Sequence, residues 1–233
     1  MTGDRYQGDE VLDLFSTHAR NRNHFIAQLL FNCLPLNGEA TLDVLEFGAG
    51  KGEFINRFSD KKEYRTSIVE ADVDYRNFLS SKHQSFASIE GISKKFHLIF
   101  LIDVLEHLED DERFLKKFYE KLIPGGRLFI YVPARQELYS SFDKNIGHFR
   151  RYGKKELKEK VMKAGFKIVS CRYHEMIGYF ASAFHKIVIR KAVPGSISIR
   201  MYDRFLVPFS HMLEKWINPP FGKSLYVCAE KGS

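Results

Sequence analysis

The sequence is poor in cysteine, holds no long apolar run and shows no internal repeat or low-complexity tract. Each shortage removes a class of protein. Its three cysteines, Cys33, Cys171 and Cys228, lie far apart with no CxxC spacing, so they are expected to be reduced, packed thiols of a cytosolic protein. The longest apolar-rich stretch late in the chain, Ile177 to Ile189, carries His185 and Lys186 and is too short and too polar to span a bilayer. Residues Met1 to Glu10 are polar and acidic, without the charged-then-apolar order of a signal peptide. A cytoplasmic protein with no membrane span is therefore expected.

What is present is the composition of an ordinary soluble domain, with 44% hydrophobic and 28% charged residues among 233. Against roughly 150 residues per domain, that length implies one large domain or one domain with an insertion. A chain of this size buries roughly 70% of its unfolded surface and needs no staple. Lys and Arg total 36 against 29 for Asp and Glu, a net charge of +7. Such an excess raises nucleic acid, anionic membrane or an acidic substrate without choosing among them.

Short apolar runs at 41–47, 66–69, 85–92, 96–102, 127–132, 166–173 and 224–230 read as strands. Helical patterns lie between them. The clearest spans Asp110 to Ile123, with acidic residues in its first turn, Phe114, Leu115, Phe118 and Leu122 on one face, and Pro124-Gly125-Gly126 behind it. Alternating strand and helix predicts an α/β fold: a Rossmann-like, seven-stranded, mostly parallel sheet with helices on both faces. About 50 residues before the last strand exceed what such a sheet needs. They hold two amphipathic segments, one with Phe180, Phe184 and Ile187, the other with Phe205, Phe209, Met212 and Trp216. The whole chain, 1–233, is thus expected to be a single domain. Residues 1–40 form a helical lid, 41–173 and 224–233 the sheet core, and 174–223 a helical insert.

The sharpest local signal is Glu46-Phe47-Gly48-Ala49-Gly50-Lys51-Gly52, between a predicted strand and a predicted helix. Glycines there permit a tight turn and close approach of backbone to a ligand. The dinucleotide spacing GxGxxG fails because position 53 is Glu53, and no lysine followed by Ser or Thr completes a Walker A loop. Glu46 would repel a pyrophosphate and suits a ligand carrying positive charge. Glu70, at the end of the next strand, can accept both hydroxyls of a ribose. Together these features imply an adenosine-containing cation.

On these residues, and on Asp103-Val104-Leu105-Glu106-His107-Leu108 and Leu122-Ile123-Pro124-Gly125-Gly126-Arg127, the chain resembles the class I S-adenosylmethionine-dependent methyltransferases. It looks most similar to the small-molecule branch that contains quinone O-methyltransferases. Tyr131-Val132-Pro133-Ala134 and Gly147-His148-Phe149-Arg150-Arg151-Tyr152 resemble a narrower subgroup. The resemblance implies S-adenosylmethionine as cofactor. Glu46, Phe47, Gly48, Ala49, Gly50 and Gly52 would hold its methionine end, Glu70 and Ala71 the ribose, Ser88 and Ile89 the adenine, with Asp103 and Val104 beside it. The family often places an acid at the adenine turn, and Ser88 and Ile89 depart from that, as His97 departs from a usual Asp.

Methyl transfer from a sulfonium is an in-line displacement, in which alignment and exclusion of water do most of the work. A base is needed only where the acceptor must lose a proton, and neutral histidine suits a phenol. His107 and His148 are the candidates for that catalytic role. The resemblance to quinone methyltransferases allows a divalent ion on Asp103, Glu106 and His107, but no metal-specific spacing supports it, so no metal is expected. Tyr6, Tyr139, Arg150 and Tyr152 are the candidate acceptor contacts, from the lid and the loop after Pro133. The acceptor is expected to be small and hydrophobic or amphipathic, with oxygen preferred over nitrogen. Peripheral contact of 174–223 with an anionic membrane is considered, and the oligomeric state, monomer or homodimer, stays open.

Two other functions compete. Asn218-Pro219-Pro220-Phe221 mimics the motif with which amino-methylating DNA enzymes stack a flipped base. It lies before the last strand and not after the fourth, so no nucleic-acid partner is expected and a DNA or RNA methyltransferase is the weaker reading. A non-catalytic module that binds S-adenosylmethionine would keep the same glycines and acids.

Overall fold

The computed structural model describes residues 17–35, 41–184, 186 and 195–232. Among the described residues, α1 (Arg20–Phe31) leads into β1 (Leu42–Phe47), a short α2 (Asn56–Ser59) and β2 (Tyr64–Val69). Next come α3 (Val73–Leu79), β3 (Gln84–Phe86), β4 (Phe96–Ile102), α4 (Asp111–Lys121) and β5 (Leu122–Pro133). After α5 (Ser141–Asn145) and α6 (Lys154–Lys163) the chain forms β6 (Phe166–His174). Between β6 and the last strand, β7 (Ser224–Lys231), lie α7 (Met176–Phe184), α8 (Ser196–Met201), a π-helical turn (Tyr202–Leu206) and α9 (Val207–Glu214).

The seven strands form one sheet in the order β3-β2-β1-β4-β5-β7-β6. β1 to β5 run parallel, and β7 is antiparallel to β5 and β6. This is the predicted fold, with the helical insert where the surplus length placed it. β4 is buried along nearly its whole length, which explains why Phe96 to Ile102 is apolar at every position but His97. Strands covered on both faces need that composition. One core layer joins Leu45, Ile99, Leu128 and Val227 to Leu115 and Phe118 of α4 and Leu157 and Val161 of α6. The opposite layer joins Val44, Leu98, Phe100 and Phe129 to Ile26 and Leu30 of α1, Phe58 of α2 and Leu79 of α3.

Some boundaries moved. β3 is shorter than the predicted 85–92, because Ile89–Gly91 is a 3-10 turn. β5 starts earlier than the predicted 127, since Leu122 already pairs with Phe96 across a register shift. The cysteine expectation is corrected: Cys33 and Cys228 are joined in a disulfide, and only Cys171 is free and buried. Sequence spacing could not show this, because the pairing depends on α1 packing over β7 across a separation of 195 residues. It also removes the argument from reduced cysteines to the cytosol. No helix among the described residues is long and apolar enough to cross a membrane.

Candidate active site

The strand order reverses at β1 and β4, and in open α/β sheets the crevice beyond the carboxyl ends of such strands is where ligands sit. The glycine turn opens that crevice. Gly48, Gly50 and Gly52 all take positive φ, at 75°, 50° and 79°, which side-chain-bearing residues rarely adopt. A Cβ on Gly48 would stand 2.6 Å from Cγ2 of Val104, so the turn presses against the end of β4 and leaves no room there for a side chain.

Glu46 is buried under this turn, and its Oε2 accepts from the Ile55 N–H at 2.9 Å. Burial, with Glu70 and Glu53 adding negative charge, pushes its carboxyl well above the usual carboxylate range. A cation placed beside it would reverse that shift. Glu70, one residue past β2, is aimed by backbone: the Gly50 N–H donates to Oε2 at 2.6 Å and the Asp72 N–H to Oε1 at 2.9 Å. Phe47 and Ala49 are buried, and Ala71 is exposed. Ser88 is exposed, whereas Ile89 is packed in the core with Phe47 and Ile92.

Asp103 follows β4 with φ 53°, one of the strained positions that cluster at functional sites. Its N–H donates to the Tyr131 carbonyl and its Oδ2 accepts from Nη2 of Arg22 at 2.7 Å. Three residues on, Glu106 is fully buried, and neither of its carboxylate oxygens has a hydrogen-bond partner. Burial and the charge of Asp103 push that carboxyl well above its ordinary value. Beside it the His107 and His148 rings meet edge to face with centroids 4.6 Å apart. Burial and the neighbouring His148 pull His107 down to about 4.

His148 is held from behind, with Nδ1 3.0 Å from Oδ1 of Asp143. Arg151 clamps that carboxylate through Nε and Nη2 at 2.8 and 3.1 Å. Burial works against Asp143's charge, but His148 and Arg151 outweigh it and hold the carboxyl down to about 2. One ligand atom from each of Glu106, His107 and His148 falls within 4.8 Å of the others, a group able to hold a metal ion.

The proposed acceptor contacts divide. Tyr139 donates its hydroxyl to the His148 carbonyl at 2.7 Å and so positions the histidine loop. Arg150 turns toward Asp111 (2.9 Å) and the Glu109 carbonyl. Tyr152 is fully buried, bonded to Asp111 Oδ2 at 2.8 Å and to the Leu105 carbonyl. It is a brace behind the site, and its ring has no face to offer a ligand. Tyr6 lies outside the described residues.

Sequence reasoning missed a second set of buried polar groups along the same edge. Arg22 of α1 bridges Asp103 and Glu175, with Nε 3.5 Å from Oε2 of the latter. Glu175, at φ 57°, also accepts from the hydroxyls of Tyr131, Ser224 and Tyr202. Burial opposes its charge, yet Lys223 and Arg22 hold its carboxyl well below the ordinary range. Asp203 of the insert accepts from the N–H groups of Asn21 and Arg22. A charged residue directly after the β6 run was a signal for Glu175. Arg22 carried none, being one of several basic residues in a polar stretch.

The profile of a methyltransferase-domain family matches residues 18–171. Among solved structures, the chain is similar to the Haloferax volcanii methyltransferase complexed with the activator Trm112, at 12% identity, 100% coverage of both chains and a TM-score of 0.62. A methyltransferase from Archaeoglobus fulgidus that depends on S-adenosylmethionine is similar at 17% identity, 94% and 99% coverage and a TM-score of 0.59. Coclaurine N-methyltransferase bound to N-methylheliamine and S-adenosylhomocysteine is similar at 13% identity, 90% and 70% coverage and a TM-score of 0.62. No curated protein matches.

Proposed function

The chain belongs to the methyltransferase-domain family and is an S-adenosylmethionine-dependent enzyme, and from that premise we propose that it methylates a small, hydrophobic or amphipathic acceptor, preferentially at oxygen. The observation that carries this reading is the convergence of Glu46, the Gly50–Glu70 contact, Asp103 and the Glu106–His107–His148 group on one edge of the sheet. In this reading the buried Glu46 meets the ammonium of the methionine end, and Glu70, already aimed by two backbone donors, meets the ribose. Ser88 faces the adenine side, with Ile89 supporting the turn from the core. The acceptor lies against Asp103, His107 and His148, so that its oxygen stands in line with the methyl group.

Proton removal falls to one histidine more than the other. A group held at about 4 is neutral at pH 7 but a weak proton acceptor. His148 has the better geometry: with its Nδ1 proton directed at Asp143, Nε2 is left as the acceptor. The tautomer is the one a carboxylate partner favours.

The insert supports a lipid-facing acceptor side. Ile197, Met201, Phe205, Phe209, Met212 and Trp216 are exposed at helical spacing, Trp216 at 87%. Arg200, Arg204 and Lys215 are exposed in the same segment, whereas Asp203 and Glu214 are buried. An apolar stripe interleaved with exposed cations suits the surface of an anionic membrane. Sedimentation with vesicles containing phosphatidylglycerol should capture the protein, and Phe205→Ser with Trp216→Ser should release it. No capture even at low salt would refute the contact.

The cofactor placement is tested by calorimetry with S-adenosylhomocysteine. Gly50→Val forces a branched side chain onto φ 50° and should abolish binding while the sheet remains folded by circular dichroism. Unchanged affinity would overturn the placement.

A further inference from the structure

We propose that Arg135 is a specificity-determining residue of the acceptor side and selects acceptors that carry a carboxylate roughly 10 Å from the atom methylated. The inference rests on the acceptor placement proposed above and adds to it the chemical class of the acceptor.

The backbone supplies the first observation. Arg135 stands just past β5 at φ 69° and ψ 98°, a combination that a residue with a side chain reaches only under strain. Neighbouring bonds enforce it: the Ala134 N–H donates to the Lys223 carbonyl at 2.8 Å and the Arg135 N–H to the Tyr152 carbonyl at 3.0 Å. Glycine would occupy this position at little cost. An arginine here gives up stability, and backbone strain of this kind gathers at ligand clamps.

The side chain supplies the second. Its Nε is buried and has no hydrogen-bond partner among the described residues. The guanidinium lies 5.2 Å from the Tyr173 ring and 5.9 Å from the Tyr179 ring, so two aromatic groups hold its plane. The carboxylate beside it, Glu137, is half-exposed and stands 3.5 Å from Nε, longer than a charge-assisted hydrogen bond. Other arginines of this edge are already engaged: Arg22 holds Asp103 at 2.7 Å, Arg150 holds Asp111 at 2.9 Å and Arg151 holds Asp143 at 2.8 Å. Arg135 is a braced, partly desolvated fork without such a bond, which is what bidentate recognition of a carboxylate requires.

Its place in the fold sets the length of the ligand. The Asp103 N–H donates to the Tyr131 carbonyl of β5, and the residues around Arg135 are stitched to the histidine loop. Ala134 pairs with Tyr152, and the Arg151 N–H donates to Oε1 of Gln136 at 3.0 Å. The Arg135 side chain turns away from that loop, over β7 toward Tyr173 of β6. Two strand spacings of about 4.8 Å separate β4 from β7. An acceptor whose hydroxyl meets Asp103 and His148 therefore reaches Arg135 with its far end when it is about 10 Å long. Lys186, whose Nζ donates to the Glu137 carbonyl at 2.6 Å, adds positive charge at that end.

The test uses the full chain saturated with S-adenosylhomocysteine and titrated by calorimetry. The probes are 4-hydroxyphenyl alkanoates from the acetate to the pentanoate, each beside its primary amide. The best acid should bind at least about tenfold more tightly than its amide. Arg135→Gly, which removes the fork and relieves the backbone, should bring acid and amide within about twofold of each other. Arg135→Lys, which keeps the charge and loses the fork, should keep part of the preference. Glu137→Gln, which removes the competing carboxylate, should strengthen acid binding and leave the amide unchanged. All three variants should keep S-adenosylhomocysteine affinity within about twofold, which certifies the fold. Equal binding of acids and amides, no binding across the series, or a preference that survives Arg135→Gly would overturn the inference. An acid preference lost in Arg135→Gly, without methyl transfer to the phenol from S-adenosylmethionine, would support it and count against oxygen as the methylated atom. Methylation of acids and amides alike would overturn the role of Arg135 and leave the proposed function standing.

Discussion

Glu46 shows how a single buried carboxylate couples the site to pH. Burial and its acidic neighbours raise its pKa in the free protein; in the proposed placement the cofactor's ammonium would lower it again, and binding would release a proton. Affinity for S-adenosylhomocysteine, whose ammonium is the relevant charge, is therefore expected to rise with pH through the Glu46 titration. Glu46→Gln should flatten that slope in calorimetry. The stability sign is opposite: a group whose folded pKa is raised contributes most at low pH and loses that contribution as pH rises, so bound cofactor should protect most at neutral pH. Gly48 makes a steric prediction. A methyl group there would meet Val104 at 2.6 Å with φ at 75°, so Gly48→Ala should cost about 1–3 kcal/mol of stability and weaken cofactor binding, as read from thermal unfolding and calorimetry. These residues were legible in the sequence because a turn's chemistry is local: the glycines and the acids at strand ends are set by a few neighbours. Arg22 and Glu175 were not, because their meaning comes from each other across 153 positions.

At the scale of elements, the loop after β5 is pinned to the loop after β4. Asp111, at the start of α4, receives Tyr152, Lys160 and Arg150. Removing the hydroxyl in Tyr152→Phe leaves that bonding incomplete and should lower stability by about 1–3 kcal/mol in denaturant unfolding, with S-adenosylhomocysteine affinity retained. The second pin is Asp143, which joins α5 to His148 and Arg151. Its pKa is held down to about 2, so its contribution is present above the unfolded value near 4 and is lost as pH falls from about 4 toward about 2. The acid limb of the unfolding curve should therefore shift to higher pH when the pin is weakened, and Arg151→Gln is the variant that measures it. Strands and helices themselves were legible from apolar spacing and from caps such as Asp110, which accepts from the Arg113 N–H. The pins were not, since Tyr152 reads in sequence as one more aromatic in a polar loop and becomes a brace only once β5 and α6 bring it over Leu105.

For the molecule as a whole, two features act beyond the pairing of strands. The Cys33–Cys228 disulfide closes a span of 195 residues, and such links typically stabilise by about 2–4 kcal/mol. The double variant Cys33→Ala, Cys228→Ala should lose about that much in non-reducing unfolding and should become insensitive to reductant; an unchanged melting temperature would refute a structural role. The insert is the other feature, with its apolar stripe turned outward. Its inner side returns Asp203, Tyr202 and Glu175 to the edge where α1 delivers Arg22. The sequence by itself determined the sheet, the family and the glycine turn with its two acids, because periodicity, turn chemistry and strand-end position act over a few residues. Tertiary structure alone decided the disulfide, the Arg22–Asp103–Glu175 bridge, the brace at Tyr152 and the gathering of His148 onto Glu106 and His107. Each of these joins groups distant in the chain, and only the packing of the elements sets their distances.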